Sequence, residues 1–152
     1  MMIDAYSNWW INITVVCTTL LAIALCVMAH FEGLVWVSQK LPRINIAMRI
    51  KVVYVICAIL ALHVIEIWIF GLIEWLLLSY PQFGILAGQS KLHLFDYIYL
   101  SAVTFTTVGY GDLTPNGPIR FMLGTEALTG FVLITWSASF TYLEMERLWR
   151  KF

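Results

Sequence analysis

Three apolar segments, each long enough to cross a lipid bilayer, constrain the fold of this chain more than any other feature. The first begins at Trp9 and runs to about Ala29, and the others occupy 52–78 and 119–142. About 20 apolar residues in a helix span the hydrocarbon core of a bilayer, which is about 30 Å thick. Hydrophobic residues make up 61% of the 152 residues and charged residues only 12%, too few for a water-exposed surface. The sequence therefore predicts an all-α integral membrane protein.

The charge and cysteine patterns exclude several other classes of protein. The formal net charge is zero, so there is no electrostatic footprint for binding nucleic acid. Cys17, Cys26 and Cys57 all lie inside apolar runs, which favours packing over a disulfide framework. No nucleophile–base pair and no metal-binding motif is found in the sequence. We therefore expect neither an enzyme nor a bound cofactor.

A fourth apolar run, residues 94–106, is too short to cross the membrane. At about 1.5 Å per residue it extends about 20 Å as a helix, and Asp96 suits its first turn. Directly after it come Gly109 and Gly111, whose tolerance of positive φ allows successive carbonyl groups to point the same way. Non-helical backbone at membrane depth is tolerated only where protein buries it or where it lines a cavity. The pattern predicts a re-entrant loop.

Residues 106–112, Thr-Thr-Val-Gly-Tyr-Gly-Asp, resemble the selectivity filter of the potassium channel family. The order of segments over about two-thirds of the chain is similar to the pore module of small prokaryotic members. The resemblance implies a homotetramer of identical chains around a K⁺-selective pore, with K⁺ as the transported substrate. It also divides the pore module, residues 52–152, into an outer helix 52–78, a pore helix 94–106, a filter 107–111 and an inner helix 119–150.

By the same resemblance, consecutive residues of this segment have individual roles. The K⁺ sites are implied at the backbone carbonyls of Thr107, Val108, Gly109 and Tyr110 and at the Thr107 hydroxyl. Support for the filter is implied for Thr106, Gly111, Asp112 and Tyr99. Many family members carry a carboxylate four residues before the first filter threonine, and Val103 stands there in this chain. We therefore expect Tyr99 to donate a hydrogen bond to Asp112 instead.

The third membrane-crossing segment, residues 119–142, contains the residues predicted to take part in gating. Gly130 matches the hinge glycine of the family's inner helix, although close packing against a neighbouring helix explains a glycine there equally well. Four residues after it share one helix face and are candidates for the cavity and a hydrophobic gate: Phe131, Ile134, Ala138 and Tyr142.

Ionisable residues inside the crossings are functional candidates, because charge is costly in lipid. His63 and Glu66 share a helix face. With Glu126 they are predicted to form a buried polar cluster that senses pH; the alternative is plain hydrogen bonding between helices. Glu74 is expected at the outer interface, in contact with solvent.

Basic residues set the expected orientation, because cytoplasmic loops are rich in Lys and Arg. Seven of the nine fall on one side: Lys40, Arg43, Arg49, Lys51, Arg147, Arg150 and Lys151. The prediction is a multi-pass plasma-membrane protein with the N-terminus outside and the C-terminus in the cytoplasm. Residues 1–37 form an extra N-terminal membrane helix. Residues 38–51 form a basic cytoplasmic linker, either a plain connector or a surface that binds anionic lipid through Lys40, Arg43, Arg49 and Lys51.

The sequence alone leaves three other functions open. The chain could be a weakly selective cation channel, or a non-conducting membrane subunit that regulates another protein. A haem- or metal-binding protein would have to use His30, His63 and His93. These histidines are expected at different depths in the membrane, which argues against such a site.

Overall fold

A computed structural model describes residues 8–149 and contains four α-helices. Their bounds are α1 Trp9–Lys40, α2 Met48–Leu78, α3 Leu94–Phe105 and α4 Arg120–Trp149. Helices α1, α2 and α4 are long and apolar enough to cross a membrane, whereas α3 is not. The fold is that of an all-α membrane protein, as the sequence predicts. Arg150 and Lys151, assigned to the basic side, lie outside the described residues.

The connection between α1 and α2 is shorter than the predicted linker. Helix α1 continues to Lys40, a 3₁₀ turn covers Leu41–Arg43, and α2 begins at Met48. The break falls at Pro42, which lacks the N–H that a helix interior requires. Residues 43–51 contain no proline, so residues 48–51 can join the second helix. Arg49 and Lys51 therefore belong to α2.

Helix α3 begins at a side-chain cap. The backbone N–H of His93 donates to Asp96 Oδ2 at 2.7 Å, closing a capping box around the first turn. The acidic side chain also lies at the positive end of the helix dipole. Both effects stabilise a 12-residue helix that is too short to be stable by itself.

Helix α3 packs against α2 and α4, and α1 packs against the same two helices. Gly71 permits the close contact of α2 with α3, because a Cβ there would lie 3.0 Å from the Ile98 Cα. The core between these helices contains Phe70, Phe105 and Met122, each fully buried. Apolar side chains elsewhere on α1, α2 and α4 are exposed on the outside of the bundle, as a lipid environment requires.

The two loops around α3 pair with each other, which the sequence analysis does not anticipate. Strand β1, Ile85–Ala87, lies antiparallel to β2, Thr114–Asn116, with Leu86 opposite Pro115. Next to them, the N–H of Ile119 donates to the carbonyl of Phe83 at 2.9 Å. The pairing joins the chain before α3 to the chain after residue 112, so it holds both ends of the re-entrant loop.

Candidate functional site

The glycine-rich segment, Thr106–Asp112, leaves the end of α3 as irregular backbone. Positive φ angles recur at every second residue: 60° at Thr107, 52° at Gly109 and 77° at Gly111. Glycine adopts this conformation readily, but a β-branched residue such as threonine does not. Backbone strain of this kind persists where the surrounding structure enforces it, and it is common at functional sites.

Hydrogen bonds anchor this segment through its N–H groups. Gly109 N–H donates to the Val103 carbonyl and Thr107 N–H to the Thr104 carbonyl, each at 2.9 Å. Within residues 8–149, no backbone N–H donates to the carbonyls of residues 106–111. A backbone carbonyl almost always has a partner in a folded protein. These carbonyls are therefore available to a ligand or to another chain.

The side chains of the glycine-rich segment are largely uncovered by their own chain. The exposed fraction is 53% for Val108 and 73% for Tyr110. A Cβ built on Gly109 or Gly111 would meet nothing within 4 Å. The segment thus carries both carbonyls without a backbone partner and apolar side chains that its own chain leaves uncovered.

A side-chain hydrogen bond ties α3 to the end of this segment. The Tyr99 hydroxyl donates to Asp112 Oδ2 at 2.9 Å, which is the contact that the sequence leads us to expect. This hydrogen bond raises the pKa of Tyr99, so the hydroxyl keeps its proton and continues to donate. Val103, one helical turn after Tyr99, is buried and apolar.

Helix α4 approaches the end of α3 at Gly130. A Cβ there would lie 2.0 Å from the carbonyl oxygen and 2.7 Å from the carbonyl carbon of Phe105. The structure thus shows a packing role for this glycine, and a hinge role stays a prediction. The four gate candidates are all exposed in the single chain: Phe131, Ile134, Ala138 and Tyr142.

A histidine–glutamate cluster, consisting of His30, His63 and Glu66, lies between α1 and α2. The Nδ1 atoms of His30 and His63 lie 2.7 and 2.8 Å from Glu66 Oε1 and Oε2, respectively. The His63–Glu66 pair is the one expected from their spacing. The two imidazole rings are 5.5 Å apart, so the expectation that His30, His63 and His93 all lie at different depths was wrong for His30 and His63. They meet because α1 and α2 are antiparallel neighbours.

The sequence contains a signal that would have found His30. Small or polar residues recur at helical spacing along α1, and the structure buries all of them: Thr19, Ala22, Cys26 and His30. In membranes such a stripe marks a face that packs against another helix, since small side chains let backbones approach. Reading this stripe would have placed His30 on a face of α1 that packs against another helix, although not opposite Glu66.

Glu126 belongs to a different set of contacts from those expected. The Ser101 hydroxyl of α3 contacts Glu126 Oε1 at 2.5 Å and the Ile67 carbonyl at 2.9 Å. Glu126 faces α3 and Glu74, while His63 and Glu66 face α1. The three residues of the predicted pH-sensing cluster are thus divided between two sites, and pH sensing stays a prediction.

The expectation that Glu74 is solvated was wrong. Its side chain is fully buried, on the same face of α2 as Glu66, Phe70 and Leu77. Among residues 8–149, neither of its carboxyl oxygens nor Glu126 Oε2 has a hydrogen-bond partner. Helical spacing decides this outcome, because a residue two turns after Glu66 returns to the buried face.

The basic residues assigned to lipid binding differ in their surroundings. Lys40 lies over the Trp36 ring, with Nζ 5.6 Å from the ring centre, and Arg43 and Arg49 are exposed. Lys51 is half-buried. They do not form one continuous surface helix, because the 3₁₀ turn separates Lys40 from α2.

Three membrane-crossing helices, with a half-length helix and an irregular segment between the last two, define a small pore-loop channel. The profile of the family described as "Ion channel" matches residues 52–145, and this chain belongs to that family. The match covers most of α2, all of α3 and most of α4, and it begins after α1.

Two curated relatives share a shorter stretch of sequence. Protein LctB of Bacillus caldotenax is 44% identical over 48 residues, which is 31% of this chain and 36% of the relative. Protein LctB of Geobacillus stearothermophilus is 45% identical over 47 residues, 31% of this chain and 35% of the relative. The chain thus spans about a third of the length of these relatives. No solved structure matches this chain significantly.

Proposed function

We propose that this ion channel is selective for K⁺ and conducts it passively across the plasma membrane as a homotetramer. The observation that carries the proposal is the glycine-rich segment, whose carbonyls have no backbone partner while φ is positive at every second residue. Four such segments around an axis would form rings of oxygen atoms. Rings of backbone carbonyls replace the hydration shell of K⁺ in channels of this type.

The K⁺ sites in this proposal are the carbonyls of Thr107, Val108, Gly109 and Tyr110, together with the Thr107 hydroxyl. One chain supplies a single strand of oxygens, so several copies are needed to surround an ion. Closed cyclic symmetry is the usual way for one short chain to build a central hole. Neighbouring copies would also cover Val108 and Tyr110, which a single chain leaves exposed.

Helix α4 forms the rest of the proposed conduction pathway for K⁺. The exposed face with Phe131, Ile134, Ala138 and Tyr142 would line the cavity below the filter, and its large side chains would narrow the opening. The filter mouth and the N-terminus face outward, and the connection between α1 and α2 faces the cytoplasm, where its basic residues belong.

The proposal is tested with purified protein in liposomes. We expect K⁺ flux, and bilayer recordings should give reversal potentials that favour K⁺ over Na⁺. Cross-linking of the same preparation should give products of up to four chains and no larger product. Equal permeability to K⁺ and Na⁺ would contradict K⁺ selectivity and would indicate a weakly selective cation channel. A well-folded tetramer with no flux in any condition of pH, voltage or tension would indicate a non-conducting subunit.

The contact between Tyr99 and Asp112 gives a separate prediction about filter stability. In Asp112→Asn we expect K⁺ preference to persist, because the carbonyls that bind the ion are unchanged. The charge-assisted hydrogen bond from Tyr99 is weakened, because the asparagine side chain carries no charge. In single-channel records the mean duration of the closed periods should therefore differ from that of the unmodified channel.

Tyr99→Phe is the matched variant, because it removes the same hydrogen bond from the other side and leaves the Asp112 charge in place. Its closures should change in the same direction as those of Asp112→Asn. Loss of K⁺ selectivity in either variant would contradict this account of the contact.

A further inference from the structure

The histidine–glutamate cluster has the donor set of a transition-metal site. We propose that His30, His63 and Glu66 bind one divalent ion of the Zn²⁺ class per chain, between α1 and α2. Each residue offers one ligand atom, and the three atoms lie within 4.8 Å of one another. The site is independent of the proposed conduction pathway, since none of its residues belongs to the glycine-rich segment.

To become a coordination shell, this cluster must open slightly at its two nitrogen–oxygen contacts and bring its two histidine nitrogens closer together. Zn²⁺ binds imidazole nitrogen at about 2.0–2.1 Å and carboxylate oxygen at about 2.0–2.2 Å, so its ligand atoms lie roughly 3–3.5 Å apart. The nitrogen–oxygen distances here are 2.7 and 2.8 Å. Rotation of His63 would bring the two nitrogens together, because its side chain is the least buried of the three at 14% exposure.

Ser137 on α4 allows His30 to switch from hydrogen bonding to metal binding. Without metal, the Nδ1 proton of His30 is donated to Glu66, and Nε2 lies 3.3 Å from the Ser137 hydroxyl, which can donate to it. With metal, the ring proton moves to Nε2 and is donated to the Ser137 oxygen, which frees the Nδ1 lone pair for the ion. A metal-bound histidine almost always donates its second N–H in this way.

The choice of metal follows from the ligands. Neutral imidazole with one carboxylate suits Zn²⁺ and, among related ions, Co²⁺, Ni²⁺ and Cu²⁺. Ca²⁺ and Mg²⁺ prefer shells made of oxygen alone. Two imidazoles and a carboxylate leave a fourth position of a tetrahedral shell for water.

A bound ion would join α1 to the pore module. His30 belongs to α1, which precedes the family match, whereas His63 and Glu66 belong to α2 inside it. The His63 ring lies 5.9 Å from the ring of Phe105, the last residue of α3. The ion would therefore fix the extra helix next to the start of the glycine-rich segment.

The experiment measures metal directly. Full-length protein carrying a tag without histidine is purified in detergent, stripped with a chelator, and incubated with micromolar ZnSO₄. After desalting, we expect about one zinc per chain by mass spectrometry, and a higher midpoint of thermal unfolding with zinc than without. Co²⁺ in place of Zn²⁺ should give the visible absorption of a tetrahedral site. None of these readouts depends on conduction.

Substitutions of the proposed ligand residues test where the ion binds. His30→Gln, His63→Gln and Glu66→Gln should each lower the affinity at least about 10-fold, and Ser137→Ala, which removes only the outer partner, about 10-fold. His93→Gln is the control, because it alters the remaining histidine of the chain, which lies outside the cluster, and it should bind zinc normally.

Two results would overturn the proposal. One is folded, unmodified protein that retains no zinc at micromolar concentrations, which would leave the cluster as hydrogen bonds alone. The other is unchanged zinc binding in both His30→Gln and Glu66→Gln. Since Glu66→Gln keeps the volume of the side chain, it stays informative even where a histidine variant fails to fold.

Discussion

Gly130→Ala is expected to destabilise this protein strongly and to prevent most of it from being recovered folded. The added Cβ would lie 2.0 Å from the backbone oxygen of Phe105, and no rotation of a side chain relieves a clash with backbone. Either α4 or the end of α3 must move, and overpacking of this kind typically costs about 1–3 kcal/mol or more. We expect the midpoint of thermal unfolding to fall by at least about 5 °C.

The matched control lies on the same helix. Gly124 is exposed, and a Cβ built on it would meet nothing within 4 Å. Gly124→Ala should leave the protein equally stable or more stable by up to about 1 kcal/mol, because alanine favours a helix. Comparison of the two unfolding midpoints in the same detergent isolates the contact with Phe105. A Gly130→Ala protein as stable as Gly124→Ala would show that this contact is not as close as described.

Gly109→Ala is expected to abolish selective K⁺ flux while leaving the helices folded. Gly109 has a φ of 52°, and its Cβ would meet nothing in its own chain, so the effect is on backbone conformation and on neighbouring copies. An alanine held in the left-handed region costs roughly 1–2 kcal/mol. In the proposed tetramer four chains bear that cost, about 4–8 kcal/mol in total, which lowers the population of the conducting form at least about 1,000-fold. The measurement is K⁺ flux into liposomes at equal protein content.

Val108→Ile is the control for this substitution, since it adds a methylene but keeps a β-branched side chain and the same backbone preference. It should conduct K⁺ selectively. Full K⁺ selectivity in Gly109→Ala, with normal assembly, would argue against a filter built from these carbonyls.

Much of the architecture was predictable because membranes restrict what a chain can do. The lipid core requires all backbone groups to be satisfied inside each spanning segment, so long apolar runs become helices. The same restriction predicted a half-length helix at residues 94–106. In the structure this helix ends at Phe105. The hydrogen bond of Tyr99 to Asp112 was also predicted, because the family resemblance places both residues beside the filter.

Contacts between distant segments were not predictable in the same way. A lipid-crossing helix can rotate about its axis with little change in its own hydropathy, and α2 is apolar on every side. Sequence alone therefore did not show which face of α2 meets α1 and which meets α3. That rotation decides that Glu74 is buried, and it separates Glu66 from Glu126.

The sequence by itself determined the number of crossings, the position of the re-entrant segment and the family resemblance, because these depend on local length, hydropathy and glycine spacing. Only the tertiary structure decided that His30 meets Glu66, that Gly130 contacts Phe105, and that the loops on either side of α3 pair as strands. Those contacts join residues far apart in the chain. Their geometry depends on how helices rotate and pack against one another, which no local pattern encodes.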